Sequence, residues 1–376
     1  MRIVVAIDSF KGSLSSLQAG NAVKEAALKH NKNNEVVVCP LADGGEGTVE
    51  ALASGLGGKP IDIVVTGPRF APVNARYCIL EETKTAVIEM SAAAGITLLS
   101  EQERNPLETT TFGVGEIITD AINRGCRHFI VGIGGSATND GGIGMLSALG
   151  FAFLDKNGKP VALSAKGLEN LYSICDDNVI PQLQQCSFRI ACDVTNPLCG
   201  ENGCSAVFAP QKGATAQMIE KMDQWLHNYA RLAKTISAKA DRNCPGAGAA
   251  GGLGFAFLGF TNAVLESGIQ IILEETRLED HIRSADLVVT GEGRLDAQTV
   301  MGKAPIGVAK LAKKHGKRVV AFCGCAAKDA EVCNDHGIDA FFPILRGIST
   351  LEEALETDNA RENLIATAYQ VFRLIE

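Results

Sequence analysis

Short apolar runs alternate with helical patterns at the start of the chain. Residues 3–7 and 36–38 are continuous apolar runs, as expected of strands that are buried on both faces. Between them, residues 14–30 place apolar side chains at helical spacing, and residues 49–56 predict a second helix. This β-α-β-α order predicts a parallel sheet with right-handed crossovers.

The pattern changes after residue 58. Three short strands, over 61–66, 75–80 and 85–89, are joined by turn residues and predict an antiparallel segment. Thr215 is the predicted N-cap of a long amphipathic helix that runs to residue 240. Further strands are predicted over 151–154, 188–192, 269–273, 285–290, 319–323 and 341–344.

The strands near the two ends of the chain are predicted to share one sheet. A length of 376 residues suggests two domains. We therefore expect residues 1–60 plus 285–376 to form a discontinuous α/β domain, into which a second α/β domain, 61–284, is inserted. Both are expected to have mainly parallel, Rossmann- or flavodoxin-like sheets.

The composition of the chain indicates which binding partners and which cell compartment to expect. The net charge is −8 and there is no long basic run, so nucleic acid and anionic membranes are not expected partners. No apolar run reaches the roughly 18 residues of a membrane-spanning helix, and the first residues read as a strand, not as a signal peptide. The 12 cysteines include no CxxC pair, and Cys192, Cys199 and Cys204 lack zinc-motif spacing. Reduced thiols in a cytoplasmic protein are the expectation.

A glycine-rich stretch, residues 132–144, follows an apolar run and precedes a helical pattern. Such a turn brings backbone N–H groups and a helix N-terminus close to an anion, usually phosphate. Residues 132–137 also match the dinucleotide pattern G-x-G-x-x-A, and Asp155 lies 18 residues beyond Ala137. An NAD(P)-dependent dehydrogenase is therefore an alternative, although the glycines at 141, 142 and 144 disfavour the regular helix that it needs.

Other catalytic motifs are absent from the sequence. Gly302 and Lys303 are followed by Ala304, which does not complete a Walker A loop. The six histidines are scattered, and no nucleophile elbow of the form GxSxG occurs.

Polar clusters directly follow four predicted strands, at 8–11, 43–46, 193–196 and 292–296. In a parallel sheet, ligands bind beyond the carboxyl ends of the strands. Carboxylates suit Mg²⁺ and a hydroxyl nucleophile, whereas Lys and Arg suit phosphate and a substrate carboxylate. This combination favours phosphoryl transfer. A nucleotide-sensing module without chemistry would have little use for so many carboxylates.

Seven motifs together resemble the bacterial type I glycerate kinases, in the same order from residue 4 to about 310. They are DSFKGSLS at 8–15, ADGGEGT at 42–48, GIGGSATNDGG at 132–142, CDVTNPL at 192–198, APQKGA at 209–214, GAGAAGGLG at 246–254 and TGEGRLDAQT at 290–299. The resemblance implies ATP-dependent phosphorylation of D-glycerate, with 2-phosphoglycerate as the bacterial product. It also implies two α/β domains, one inserted in the other, with the active site in the cleft between them.

Roles for individual residues are physical hypotheses. Asp193 is expected to orient the attacking hydroxyl, and Lys11 and Lys212 to neutralise the transferring phosphate or the glycerate carboxylate. ATP and Mg²⁺ are the expected cofactors, the oligomeric state stays open, and 3-phosphoglycerate remains an alternative product. The expected substrate contacts are Asp8, Ser9, Asp43, Glu292, Arg294 and Asp296, the nucleotide contacts are Gly134, Gly135, Ser136, Ala137, Thr138, Lys212 and Gly248, and the candidate metal ligands are Asp43 and Glu46.

Overall fold

The computed structural model describes residues 1–41 and 57–375. These residues fold into two compact units, each with its own sheet. The first unit contains residues 1–41 and 269–375, and the second contains Gly58–Gly268. The predicted boundary at 284 differs from this division, because residues 269–284 group with the first unit.

Thirteen strands occur in the described chain. In chain order they are β1 (Arg2–Val5), β2 (Glu35–Val38), β3 (Lys59–Thr66), β4 (Pro72–Leu80), β5 (Thr85–Glu89), β6 (His128–Gly132), β7 (Ala152–Leu154), β8 (Ser173–Cys175), β9 (Ser187–Ala191), β10 (Ala263–Glu266), β11 (Leu287–Leu295), β12 (Arg318–Ala326) and β13 (Ala340–Pro343).

The α-helices of the described residues are numbered in the same way. They are α1 (Ser16–His30), α2 (Ser91–Ala94), α3 (Phe112–Asn123), α4 (Ile143–Ala148), α5 (Cys204–Phe208), α6 (Ala216–Ile236), α7 (Ala249–Phe260), α8 (Gly268–Glu275), α9 (Leu278–Arg283), α10 (Ala304–Lys314), α11 (Leu351–Leu355) and α12 (Thr357–Ile375). The predicted helix over 49–56 lies outside the described residues.

The sheet of the first unit has five strands in the order β13-β12-β11-β1-β2, and all pairs are parallel. The predicted parallel sheet built from both ends of the chain is therefore confirmed. β1 and β11 are neighbours, with Val5 opposite Val289. Their apolar side chains are fully buried, because helices cover a parallel sheet on both faces.

The sheet of the second unit has six strands in the order β10-β9-β6-β5-β4-β3. The pairs β3–β4 and β4–β5 are antiparallel, as predicted. The pairs β5–β6, β6–β9 and β9–β10 are parallel. A separate antiparallel pair joins β7 and β8. The mixed α/β architecture with mainly parallel sheets confirms the predicted fold class.

One predicted strand is wrong. Residues 269–273 belong to helix α8, in which Ile269, Ile271 and Ile272 are buried. A short apolar run does not distinguish a strand from one buried face of a helix, which explains the error.

The caps were predictable from local chemistry. Thr215 Oγ1 accepts a hydrogen bond from the Met218 backbone N–H, which confirms it as the N-cap of α6, although the helix ends at Ile236 and not at 240.

Within the described ranges, no helix is both long enough and apolar enough to cross a membrane.

Candidate functional site

The glycine-rich loop of the second unit begins where β6 ends. Gly134 and Gly135 are exposed, and Gly135 has a φ of +71° that favours glycine. Behind them, Ala137 donates its N–H to the Ala94 carbonyl over 2.9 Å. Ser136, Ala137 and Thr138 are buried. Among the predicted nucleotide contacts in this loop, Gly134 and Gly135 are the ones that face solvent.

Asp140 lies just before helix α4, which begins at Ile143. Its carboxylate accepts hydrogen bonds from the backbone N–H groups of Gly142, at 3.1 Å, and Gly144, at 3.3 Å. The backbone N–H and hydroxyl of Thr111 each donate to it over 2.8 Å. Asp140 is fully buried, and burial raises the pKa of its carboxyl above the ordinary value.

The first donors at this helix N-terminus already have partners within the chain. Gly142 and Gly144 bond the Asp140 carboxylate, and the Met145 N–H donates to Thr111 Oγ1 over 2.9 Å. A phosphate contact at this stretch stays a prediction. Phosphate contacts from this loop would come from the exposed turn at 134–135, ahead of the helix.

Lys212 lies behind the same loop. It is 2% exposed, and its Nζ donates to Ser136 Oγ and to the Thr138 carbonyl, each over 2.7 Å. Burial lowers the pKa of Lys212 to about 8. The segments 132–142 and 209–214 thus lie together, and this lysine contacts the loop from within and holds two points of it.

The second glycine tract packs against the first. Ala250, Gly251 and Gly252 all have positive φ, and the Gly251 carbonyl accepts a 2.9 Å hydrogen bond from the Gly141 N–H. A Cβ at Gly251 would lie 2.1 Å from the Thr138 carbonyl oxygen. The N–H of Gly248, a predicted nucleotide contact, donates to the Asn196 carbonyl over 2.9 Å. This geometry favours a packing role for the tract.

Asp193 follows the end of β9 and is exposed. Its Oδ1 accepts a hydrogen bond from the backbone N–H of Gly268, the first residue of α8, over 3.3 Å. The parallel pairing of β9 with β6 brings the segments after both strands to the same sheet edge. Asp193 and the glycine-rich loop therefore share the carboxyl edge of the second sheet.

In the first unit, the loop after β1 meets the end of β11. Asp8 is buried, and its backbone N–H donates to the Gly291 carbonyl over 2.9 Å. The Asp8 carboxylate also accepts the N–H of Ser9 over 2.6 Å. Lys11 is exposed at the tip of this loop, beside Gly12 with a φ of +83°. The chain folds tightly here because Phe10 and Leu14 pair across the turn.

A cluster of carboxylates and cations ends β11. Glu292 is 8% exposed and accepts a 2.7 Å hydrogen bond from the Thr299 hydroxyl. Lys303 Nζ lies 3.6 Å from Glu292 Oε2 and 4.0 Å from Asp296 Oδ1. Arg294, which is exposed, lies 3.4 Å from the other oxygen of Asp296. Burial raises the pKa of the Glu292 carboxyl, although Thr299 and Lys303 act in the opposite direction.

The structure thus brings Asp8, Ser9 and Lys11 to the same sheet edge as Glu292, Arg294 and Asp296. The predicted metal ligands Asp43 and Glu46 lie outside the described residues.

Sequence reasoning missed three residues of these sites. Lys303 was considered only as part of a failed Walker motif, although its place before Pro305 marks the start of a helix. Thr299 lies one turn earlier and holds Glu292. Thr111 belongs to three consecutive threonines, 109–111, which are fully buried before α3, and this unusual run was the available signal.

The whole chain matches a known family. The model of the glycerate kinase family matches residues 3–376. The chain belongs to the glycerate kinase family. Membership makes it a kinase, that is, a phosphotransferase with an alcohol group as acceptor, and ATP is the co-substrate that such a kinase implies.

Relatives of this family align along their full length. A glycerate kinase of Haemophilus influenzae is 46% identical over 375 residues, which cover 100% of this chain and 99% of the relative. A glycerate 2-kinase of Escherichia coli is 45% identical, with 98% of each chain covered. A crystal structure from Salmonella typhimurium LT2, provisionally named glycerate kinase 2, superimposes with a TM-score of 0.91 at 44% identity and covers 100% of this chain and 98% of its own. These relatives give no support to a dehydrogenase.

Proposed function

We propose that this kinase transfers the γ-phosphoryl group of ATP to the 2-hydroxyl of D-glycerate. The observation that carries the proposal is the cluster of Asp8, Lys11, Glu292, Arg294, Asp296 and Lys303 at the edge shared by β1 and β11. Cations suit the carboxylate of a small hydroxy acid, and carboxylates accept hydrogen bonds from its hydroxyls. The name of the Escherichia coli relative, glycerate 2-kinase, supports the 2-position.

The residues proposed to bind the substrate are of two kinds, cations and hydrogen-bond acceptors. Arg294 and Lys11 are exposed and suited to the glycerate carboxylate or the transferring phosphate. Glu292 is held in one orientation by Thr299 and balanced by Lys303, so that it presents a positioned acceptor to a hydroxyl. Asp8 and Ser9 complete this set from the loop after β1.

The nucleotide phosphates are proposed to bind the exposed turn at Gly134 and Gly135. A turn without side chains lets backbone N–H groups approach an anion closely. Lys212 supports this turn from behind through Ser136 and Thr138, and its charge contributes to the local potential.

Asp193 is proposed to orient the attacking hydroxyl as a positioned base. Catalysis of phosphoryl transfer depends mostly on positioning and charge neutralisation, so one exposed carboxylate at a strand end suffices for this role. Its bond to the Gly268 N–H holds one carboxylate oxygen in place.

Mg²⁺ is proposed to accompany ATP. In kinases this cation is usually held by one or two protein carboxylates together with the substrate phosphates. Asp296 is the described candidate, since its side chain is partly accessible and offers hard oxygen donors. When bound, Mg²⁺ would neutralise charge that develops on the phosphates.

The enzyme is also proposed to work in the cytoplasm, where its 12 unpaired cysteines remain reduced.

A coupled assay of ADP release tests the proposed reaction. We expect release with D-glycerate and ATP, and a much slower rate with L-glycerate or lactate. If ADP is released with another hydroxy acid but not with D-glycerate, the protein is still a kinase but D-glycerate is not its substrate. NADH fluorescence that is quenched on titration with the protein would revive the dehydrogenase.

A further inference from the structure

A group of three potential metal ligands lies in the second unit, apart from the residues discussed above. Cys199, Asp223 and His227 each offer one ligand atom, and these atoms lie within 4.8 Å of one another. No sequence motif indicated this group, because Cys199 comes from the loop after β9 whereas the other two belong to helix α6.

The helix places two of the ligands on one face. Asp223 and His227 are four residues apart, so their side chains are neighbours on the helix surface. His227 Nδ1 lies 3.7 Å from Asp223 Oδ2. Nitrogen and oxygen ligands of a tetrahedral zinc ion are separated by about 3.3 Å, so a small side-chain rotation completes the geometry.

The loop that carries Cys199 is held by its backbone. The N–H of Leu198 donates to the Arg242 carbonyl over 2.9 Å, and the N–H of Cys204 donates to the Leu198 carbonyl over 3.1 Å. Gly203 folds back so closely that a Cβ there would lie 2.4 Å from the Cys199 carbonyl carbon. Cys199 is therefore presented from a tight turn.

The carboxylate of Asp223 is already oriented. Its Oδ1 accepts the backbone N–H of Gly200, the residue after Cys199, over 2.8 Å. This bond directs the other oxygen, Oδ2, toward His227. Hydrogen bonds of this kind to ligand side chains fix the geometry of metal sites.

We propose that Cys199, Asp223 and His227 bind a zinc-type divalent cation, with water in the fourth position. One sulfur, one nitrogen and one oxygen ligand match the preferences of Zn²⁺ and Co²⁺, whereas Mg²⁺ prefers oxygen alone. His227 and Asp223 are partly accessible, with side chains 44% and 25% exposed, so an ion can enter from solvent. The bound ion would tie the 198–204 loop to α6, and the site is independent of the proposed reaction.

Cobalt binding tests the proposal. The full-length protein is treated with a chelator, dialysed and titrated with Co²⁺, while the thiolate-to-cobalt absorption band in the near ultraviolet is followed. We expect one equivalent to bind and the band to appear. Cys199→Ser should abolish the band, and His227→Gln, at an exposed position, should weaken Co²⁺ binding at least about 10-fold.

Matched controls are available in the same chain. Cys175→Ser changes another half-buried cysteine of the second unit, and His281→Gln changes a histidine outside the group. Both should bind Co²⁺ as the wild type does. Zn²⁺ should also raise the melting temperature of the wild type and of the controls, but not that of Cys199→Ser. A wild type without the band, or a Cys199→Ser variant that keeps it, would overturn the proposal.

Discussion

The ammonium group of Lys212 lies 2.7 Å from the hydroxyl oxygen of Ser136, and both side chains are buried. A second bond of the same length reaches the Thr138 carbonyl, so one lysine holds two points of the glycine-rich loop. A buried ammonium is costly unless it is hydrogen-bonded, and burial accordingly lowers the pKa of Lys212 to about 8.

This pKa predicts a pH-dependent contribution to stability. An unfolded lysine keeps its proton up to about pH 10.4, so between pH 8 and that value the unfolded state binds more protons than the folded state. The free energy of unfolding contributed by Lys212 should therefore rise with pH in this window. Below it, both states are protonated and the cost of burying the charge is at its largest.

Urea unfolding of the wild type and Lys212→Met measures this contribution at about pH 7.5 and about pH 9.5. Subtracting the free energy of unfolding of the variant from that of the wild type at each pH removes the contribution of groups that titrate alike in both proteins. We expect the stability difference to move in favour of the wild type by about 1–2 kcal/mol at the higher pH. A difference that does not change with pH would show that the lysine is not perturbed.

Asp140 is predicted to be essential for the loop but not for the chemistry. Asp140→Asn removes an acceptor oxygen and turns an NH₂ group toward backbone donors, so we expect a loss of about 2–4 kcal/mol in the free energy of unfolding. Asp155→Asn is the control, because that side chain is only half-buried and caps only a local turn. It should change stability by less than about 1 kcal/mol and leave nucleotide affinity unchanged. A weaker affinity in Asp155→Asn would support the dinucleotide alternative.

The packing of the two glycine tracts makes a steric prediction. Gly251→Ala places a Cβ against the Thr138 carbonyl at a φ of +67°, and we expect the protein to lose about 3 kcal/mol or more. Gly158→Ala has a similar φ, +74°, but open space around the Cβ, and should lose only about 1–2 kcal/mol. Chemical denaturation of the pair separates steric contact from backbone strain. Equal losses would mean that close packing is not the reason for the glycine.

Lys303 is predicted to act with Glu292 in binding glycerate. Lys303→Met leaves Glu292 without its nearby cation, so kcat/KM for glycerate should fall about 10–100-fold. Lys310→Met changes an exposed lysine on the same helix and should leave kcat/KM unchanged. If both variants were equally active, Lys303 would have no part in the site.

Asp193 is predicted to be the residue whose loss most reduces turnover. Asp193→Asn should lower kcat about 10²–10⁴-fold while the melting temperature changes little, because the side chain is exposed. Asp241→Asn, another exposed aspartate of the second unit, serves as the matched control for kcat. Near-normal turnover of Asp193→Asn would remove this carboxylate from the mechanism.

Much of the architecture followed from periodicity alone. Continuous apolar runs such as 3–7 identified strands buried on both faces, and the polar residues after them, including Asp8 and Asp193, lie at strand ends. Residues 269–273 were misassigned because a short segment with four apolar residues among five positions fits either a strand or a helical face.

The direction in which a buried polar group faces could not be predicted in the same way. Glycines around Asp140 suggested a phosphate site, but its four donors lie in two segments separated by about 30 residues. The same holds for Lys303, whose partners Glu292 and Asp296 are brought near by the turn after β11. Such contacts depend on tertiary packing, which spacing along the chain does not encode.

The identity of the product tests the central claim most directly. The protein is incubated with ATP, Mg²⁺ and D-glycerate, and the product is examined by phosphorus NMR against authentic 2- and 3-phosphoglycerate. We predict a single new phosphomonoester resonance, which coincides with 2-phosphoglycerate and grows as the ATP resonances are replaced by those of ADP. A resonance of 3-phosphoglycerate, or ATP that remains intact, would contradict the account.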